Sequence, residues 1–409
     1  MREMKDSGIS FVGMIPSDWN VTRNKNVFFC TKELVGIASS ETQLLSLTTK
    51  GIKEKDINNP EGKLPESFDT YQYVKKNDMV MCLFDLDVSA VFSGLSPYDG
   101  MISPAYRVLH CKDNIVPKFA DYWFRYISDG RKFNHYAKNI RYTLNYENFS
   151  TLPIVVPPID KQRRIADYLD EKCSKVDAII EKQQSVIKKL KAYKLSKINE
   201  LIVEVEGQLI HLGYIANMKN GLNFNIAPNG KPLKFLGVGD FKDYFVLDRE
   251  DMFSDIFIDE EIDEDYMLKD GDIVFVRSNG SKELVGRAVM VENIDFPLSY
   301  SGFCIRFRNI RTDILNDRYL LYFFRSPYFR EQLKKYSQGS NINNINQVLL
   351  SQISITVPSI EIQEKAIDEV DRLSYNLDKT ILGKQALINK LIAYKKSLIY
   401  EVITGKKEI

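Results

Sequence analysis

The side chains in this sequence that could do chemistry sit in polar runs broken by aromatics. Lys132, Asn134, His135, Lys138, Asn139, Arg141, Tyr142 and Asn145 crowd into 14 residues. Further along come Lys219, Asn220 and Asn223, then Arg277, Ser278, Asn279, Ser281 and Lys282, and last Gln338, Ser340, Asn341, Asn343 and Asn344. Phosphate is held by Lys, Arg and small hydroxyls, and base edges are read by Arg, Asn, Gln and Ser. These are the groups a chain would set against nucleic acid. A solvated surface loop has a similar composition, so type alone decides nothing. Position is the stronger sign, because one polar loop falls just before each of two related helical segments.

Catalytic patterns are missing. The three histidines, His110, His135 and His211, are isolated, and none has a metal-ligand spacing or a triad context. The five cysteines are scattered without a C-x-x-C pair, which argues against a zinc site and a disulfide framework. An amino-methyltransferase needs Asp or Asn before Pro-Pro-aromatic, but Val156 precedes Pro157-Pro158. No G-x-x-x-x-G-K-[ST] loop is present, and Gly237-Val238-Gly239 is followed by Lys242 where a dinucleotide site wants its third glycine. No residue is assigned a catalytic role, no metal is expected, and no cofactor is expected in this chain.

The elements that position the polar runs follow from a repeat. Val156-Pro157-Pro158-Ile159 returns as Val357-Pro358-Ser359-Ile360, and positions 156–202 match 357–403 at 19 of 47 places without a gap. Each copy carries an apolar stripe at 3–4 spacing. In the first it is Ile165, Leu169, Cys173, Val176, Ile180, Ile187, Leu190 and Leu201. In the second it is Val370, Leu377, Ile381, Ile388, Leu391, Leu398 and Val402. The spacing predicts helices over about 160–204 and 361–404, started after the prolines and ended at Gly207 and Gly405 as left-handed caps. Stripes this narrow need a partner, and two equivalent copies pair naturally about a pseudo-two-fold. The basic run Lys182, Lys188, Lys189, Lys191, Lys194 and Lys197 either follows spacer phosphates or solubilises the helix.

The repeat extends outside the helices. The strand-like run at 78–84 has a counterpart at 271–276, and Tyr322-Phe323-Phe324-Arg325 answers Tyr122-Trp123-Phe124-Arg125 in a short aromatic helix expected over 118–127. The expected fold class is α+β, with two units of mixed α/β structure separated by two long antiparallel coiled-coil helices in a pseudo-two-fold internal repeat. The boundaries are 1–155 and 207–356 for the variable units, and 156–206 and 357–409 for the helical regions. Net charge is only +1, so affinity for a polyanion must come from local patches. The acidic stretch from Asp248 to Asp265 is expected to face solvent or a basic partner. No apolar run reaches the roughly 18 residues of a membrane span, and the first residues lack a signal-peptide core, so a reduced, cytoplasmic protein is expected.

Taken together these motifs resemble the specificity subunits of type I restriction–modification systems. The resemblance is carried by Ile15-Pro16-Ser17-Asp18-Trp19, by Ser103-Pro104-Ala105-Tyr106 and by Ile154 to Ala166 at the helix start. In the second unit it is carried by Gly271-Asp272-Ile273-Val274-Phe275-Val276 running on to Arg287. It covers essentially the whole chain. It implies a non-catalytic subunit whose two target recognition domains each read half of a split double-stranded DNA sequence. It further implies two modification (methyltransferase) subunits, with Ile165, Leu169, Tyr193 and Tyr394 as candidates to meet them, and restriction/translocase subunits. S-adenosylmethionine, ATP and Mg would belong to those partners. The DNA candidates are Lys138, Asn139, Arg141, Tyr142 and Asn145 in the first unit. In the second they are Lys219, Asn223, Arg277, Ser278, Asn279, Ser281, Lys282, Gln338, Ser340 and Asn341. The first unit departs from the family pattern, having Lys138 to Thr143 without the glycine of Ser337-Gln338-Gly339-Ser340-Asn341. The competing reading is a coiled-coil scaffold that joins two protein-binding domains and does not touch DNA.

Overall fold

Two helices of 44 residues, Ile159–Ile202 and Ile360–Ile403, set the frame of this α+β protein. Each starts within two residues of the upstream proline, which cannot extend a helix backwards. The computed structural model describes all residues except 1, 50, 57–64, 87–91, 137–141, 226, 228, 242, 243, 260, 282 and 337–343. The chain divides into two compact units, Met1–Gln183 with Ala386–Ile409, and Gln184–Gln385. Each unit therefore takes one part of each long helix.

In the first unit Ile165, Leu169 and Cys173 share a core with Leu398, Ile399 and Val402, and Asp177 pairs with Lys395 at 2.6 Å. In the second, Ile198 and Ile202 share a core with Ala366, Ile367 and Val370, and Lys194 pairs with Asp378 at 2.8 Å. Within each unit residue numbers rise on one helix as they fall on the other, so the pairing is antiparallel. The two ion pairs are copies of each other, since Asp177 and Asp378, like Lys194 and Lys395, are 201 positions apart. Exposed pairs of this kind contribute at most about 1 kcal/mol each; their use is to fix register. Ile180, Ile187 and Leu190 are only half-buried, as befits a narrow seam. Gly405 ends the second helix with φ +72°, as expected of a left-handed cap. Gly207 does not adopt that conformation. A Cβ there would lie 2.5 Å from the Val357 carbonyl oxygen, so the position needs glycine for close passage of the chain.

The first unit is built on a four-stranded antiparallel sheet in the order Phe28–Cys30, Arg107–Cys111, Met79–Met81, Ser93–Leu95. The aromatic helix Pro117–Ser128 covers it, burying Phe119, Tyr122, Trp123, Phe124 and Ile127. Its counterpart Asp317–Arg325 buries Tyr319, Leu320, Tyr322, Phe323 and Phe324 beside a five-stranded sheet in the second unit. That sheet runs Ala216–Asn220, Cys304–Asn309, Ile273–Val276, Ala288–Val291, Val246–Leu247. The second unit adds a three-stranded sheet of Ser254–Ile258, Lys231–Leu236 and Leu298–Tyr300.

The two units repeat their buried polar contacts as well as their elements. Gln162 Nε2 donates to Asn114 O and Pro157 O, and its Oε1 accepts from Val116 N. Gln363 Nε2 donates to Ile314 O and Pro358 O, and its Oε1 accepts from Asn316 N. Both glutamines are fully buried, and they tie the segment before each aromatic helix to the start of a long helix. Tyr122 donates to Asp170 and Tyr322 to Asp371, again from aromatic helix to long helix. Asp78 caps the turn at Lys75 N, as Asp272 caps the turn at Lys269 N.

Candidate nucleic-acid interface

Sheet register decides which loops meet. In the second unit Asn220 lies opposite Ile305, and Val276 opposite Cys304. The ends of two strands and the start of a third therefore share one edge of the sheet, and the segments following 220, following 276 and preceding 304 leave from it together. Leu222 N donates to Tyr300 O at 3.1 Å, Gly302 N to Leu222 O at 2.8 Å, and Arg277 N to Phe303 O at 2.7 Å. A fourth segment joins where Ile345 N donates to Arg277 O at 2.9 Å and Ser278 bridges Asn344. Arg277, Ser278, Asn279, Ser281 and Asn223 thus come from remote stretches of sequence into one cluster. Arg277 Nη1 donates to Gly302 O at 3.3 Å, which steadies the guanidinium on that turn. Asn279 Oδ1 accepts from Ser281 N at 2.7 Å, an Asx turn that fixes the loop.

Lys219 sits differently from what its sequence position suggests. It lies opposite Arg306 in adjacent strands, where like charges repel. Asp265 answers both, accepting from Lys219 Nζ and lying 3.5 Å from Arg306 Nη2. Tyr266 presents its ring to Lys219, with Nζ 3.6 Å from the centroid. The hydrogen bond to Asp265 raises the Lys219 pKa above the ordinary lysine value and lowers that of Asp265 below the ordinary carboxylate. Much of the Lys219 charge is therefore matched within the protein.

The first unit repeats the geometry with other side chains. Leu144 N donates to Leu83 O at 2.8 Å, the counterpart of the contact between Ile345 and Arg277, so leucine stands where the second unit has arginine. Tyr142 takes a left-handed φ of +45°, and its carbonyl accepts from Leu86 N. Lys132 donates to the carbonyls of Tyr126 and Asp129 near the end of the aromatic helix, where a cation is favoured. Asn145 serves the fold directly. It caps the helix Tyr146–Thr151, its Oδ1 accepting from Asn148 N at 2.7 Å. Asn346 caps Gln347–Gln352 in the same way at 2.8 Å. Replacing Asn145 by Ala is therefore expected to cost about 1 kcal/mol of stability. Thermal unfolding checks this, and an unchanged midpoint would mean that the cap is dispensable.

Lys138, Asn139, Arg141, Lys282, Gln338, Ser340, Asn341 and Asn343 lie outside the described residues. Of the four candidates for a partner, Ile165 and Leu169 are fully buried in the first unit's own core and offer no surface. Tyr193 and Tyr394 are 48% and 51% exposed.

One cluster has the look of a reaction centre. His110 bonds Asp78 at 2.6 Å through Nδ1 and Thr31 at 2.7 Å through Nε2. The second unit explains it, because Arg308 holds Asp272 at 2.6 Å in the equivalent place. Histidine and arginine there share the job of anchoring a capped turn. Among the described residues no three His, Cys, Asp or Glu side chains gather as a metal site would, and no helix is long and apolar enough to cross a membrane.

The fold and its loops define a class: a duplicated α+β protein with a repeated frame and unlike loops at the matching sheet edges. Residues 240–390 match the family described as the type I restriction modification DNA specificity domain. The chain is 26% identical over 279 residues to the StySPI specificity subunit, a type I restriction enzyme subunit of Salmonella potsdam. That match covers 63% of this chain and 58% of the Salmonella subunit, so it spans a little over half of that relative's length. The chain is 24% identical over 372 residues to the MjaVIII specificity subunit of Methanocaldococcus jannaschii, covering 81% of this chain and 80% of that one. A solved chain, described for complex assembly and conformational transition of the type I R-M system, matches with a TM-score of 0.71 at 16% identity. The match covers 96% of this chain and 99% of that chain, and at that identity it speaks for the fold. The chain is thus similar to the specificity subunits of type I restriction–modification systems, through residues 240–390 and through both relatives.

Proposed function

We propose that this chain is the sequence-reading subunit of a type I restriction–modification complex. It reads a bipartite, gapped double-stranded DNA sequence, one half with each unit, and directs adenine methylation and restriction by partner subunits. The observation that carries this reading is the contrast between frame and loops. The frame is copied down to the hydrogen bonds of Gln162 and Gln363, whereas the loops at the shared sheet edge differ, with Leu83 in one copy and Arg277 in the other. A copied frame under unlike reading loops suits a sequence whose two halves are unlike.

On this reading the partners are two modification subunits per chain, which bring S-adenosylmethionine, and restriction/translocase subunits, which bring ATP and Mg. The test is a strand-resolved map of methylated adenines in host DNA with and without the gene. One split motif with a constant gap is expected to lose its methylation when the gene is removed. An unchanged map with active partner proteins would instead favour a scaffold joining two protein-binding domains.

A further inference from the structure

We infer that Phe303 is a base-reading residue of the second unit, making apolar contact with a thymine methyl group in the major groove. This rests on the DNA reading above and adds a residue and a target atom to it. Phe303 is 58% exposed, although scattered apolar residues on a surface need no explanation by themselves. Its setting is what distinguishes it. It stands in the turn between the strands Leu298–Tyr300 and Cys304–Asn309, at the edge where the four segments converge.

The backbone there is held firmly. Phe303 O accepts from Arg277 N at 2.7 Å, and Phe303 N donates to Ser301 Oγ at 3.2 Å. An aromatic ring on a pinned turn keeps its surface in water without folding back into the core. Around it lie Arg277, Ser278, Asn279 and Asn223, the donor and acceptor types that read base edges in the major groove, where phenylalanine pairs with the thymine methyl. The first unit varies at this point. Its matching turn closes by Tyr106 N donating to Ser103 O, as Cys304 N donates to Ser301 O, which places Ala105 where the second unit has Phe303. The backbone at this position serves the fold in both units, while the side chain differs between the two.

The test uses the assembled complex and duplexes carrying the methylated sequence identified by the map. Each thymine in the second unit's half-site is replaced in turn by deoxyuridine, which lacks only the methyl. An adenine-methylated half-site holds at least one A·T pair, so a target exists. Wild type is expected to bind one uracil duplex about tenfold more weakly, the scale of one methyl in an apolar contact. Phe303→Ala is expected to lose a similar factor on the thymine duplex and to be indifferent to that uracil, with thermal midpoint unchanged. Phe303→Leu should recover part of the loss. A full uracil penalty in Phe303→Ala, or no penalty in wild type, overturns the assignment. A wild-type complex that binds no specific sequence at all sinks the DNA reading itself, and this residue's role with it.

Discussion

On the proposed reading of a split DNA sequence, a heptad inserted into both long helices, between Asp177 and Lys194 and between Asp378 and Lys395, is expected to widen the unread gap by about three base pairs. Seven helical residues add roughly 10.5 Å, and duplex DNA rises about 3.4 Å per pair. A heptad keeps the apolar seam in phase. Placing it in both helices leaves Asp177 facing Lys395 and Lys194 facing Asp378, because each pair lies wholly to one side of the insertion points. Both half-sites should be unchanged, since no loop is touched. Inserting the heptad in one helix alone slides one ion pair and its flanking core by the same distance, and specific methylation is expected to disappear. Methylation mapping of the three strains reads all of this. A gap of unchanged length in the doubly inserted strain would show that something other than the helices sets it.

The second large effect concerns the buried glutamines. Gln363→Leu is expected to destabilise the second unit by about 3–5 kcal/mol. The substitution orphans the Asn316 amide and the carbonyls of Ile314 and Pro358 in a buried site, and each stranded group costs roughly 1–3 kcal/mol, partly offset because leucine brings no polar atoms of its own. At ~2–4 °C per kcal/mol for a body of this size, the midpoint should fall by about 10 °C. Gln162→Leu should do the same to the first unit through Val116, Asn114 and Pro157. Differential scanning calorimetry of both variants is the measurement, and a fall of under 2 °C would mean that water takes over these bonds at little cost.

What could be read from the sequence was the part encoded by period and repetition. The helices run from 159 to 202 and from 360 to 403, within two residues of expectation, because a heptad stripe and flanking prolines are local signals. The aromatic helix was legible for the same reason. Caps were less so: Gly207 has the composition of a left-handed stop, but its role is set by Val357, 150 positions away. Asn145 read as a DNA contact because the six-residue helix it caps is too short to show a period.

The candidate site was legible in type but not in assembly. Arg277, Ser278, Asn279 and Asn223 come together through strand register, which no spacing reveals. Lys219 looked like a free cation because Asp265, which matches it, is 46 residues downstream. Phe303 gave no signal at all, since an exposed phenylalanine and a core one are the same letter. The stripe that marks Ile165 and Leu169 is the stripe their own unit buries.

The division of the chain into units also fixes an order of events at the ribosome. The second unit is one uninterrupted stretch, Gln184–Gln385, whereas the first needs Ala386–Ile409 to join Met1–Gln183. Synthesis at ~5–20 residues per second separates these two pieces by on the order of 10 to 40 s. During that interval Ile165, Leu169 and Cys173 lack the cover that Leu398, Ile399 and Val402 will give them. The half made first is therefore finished last, and through that interval a nascent-chain chaperone would find its apolar target on the first long helix.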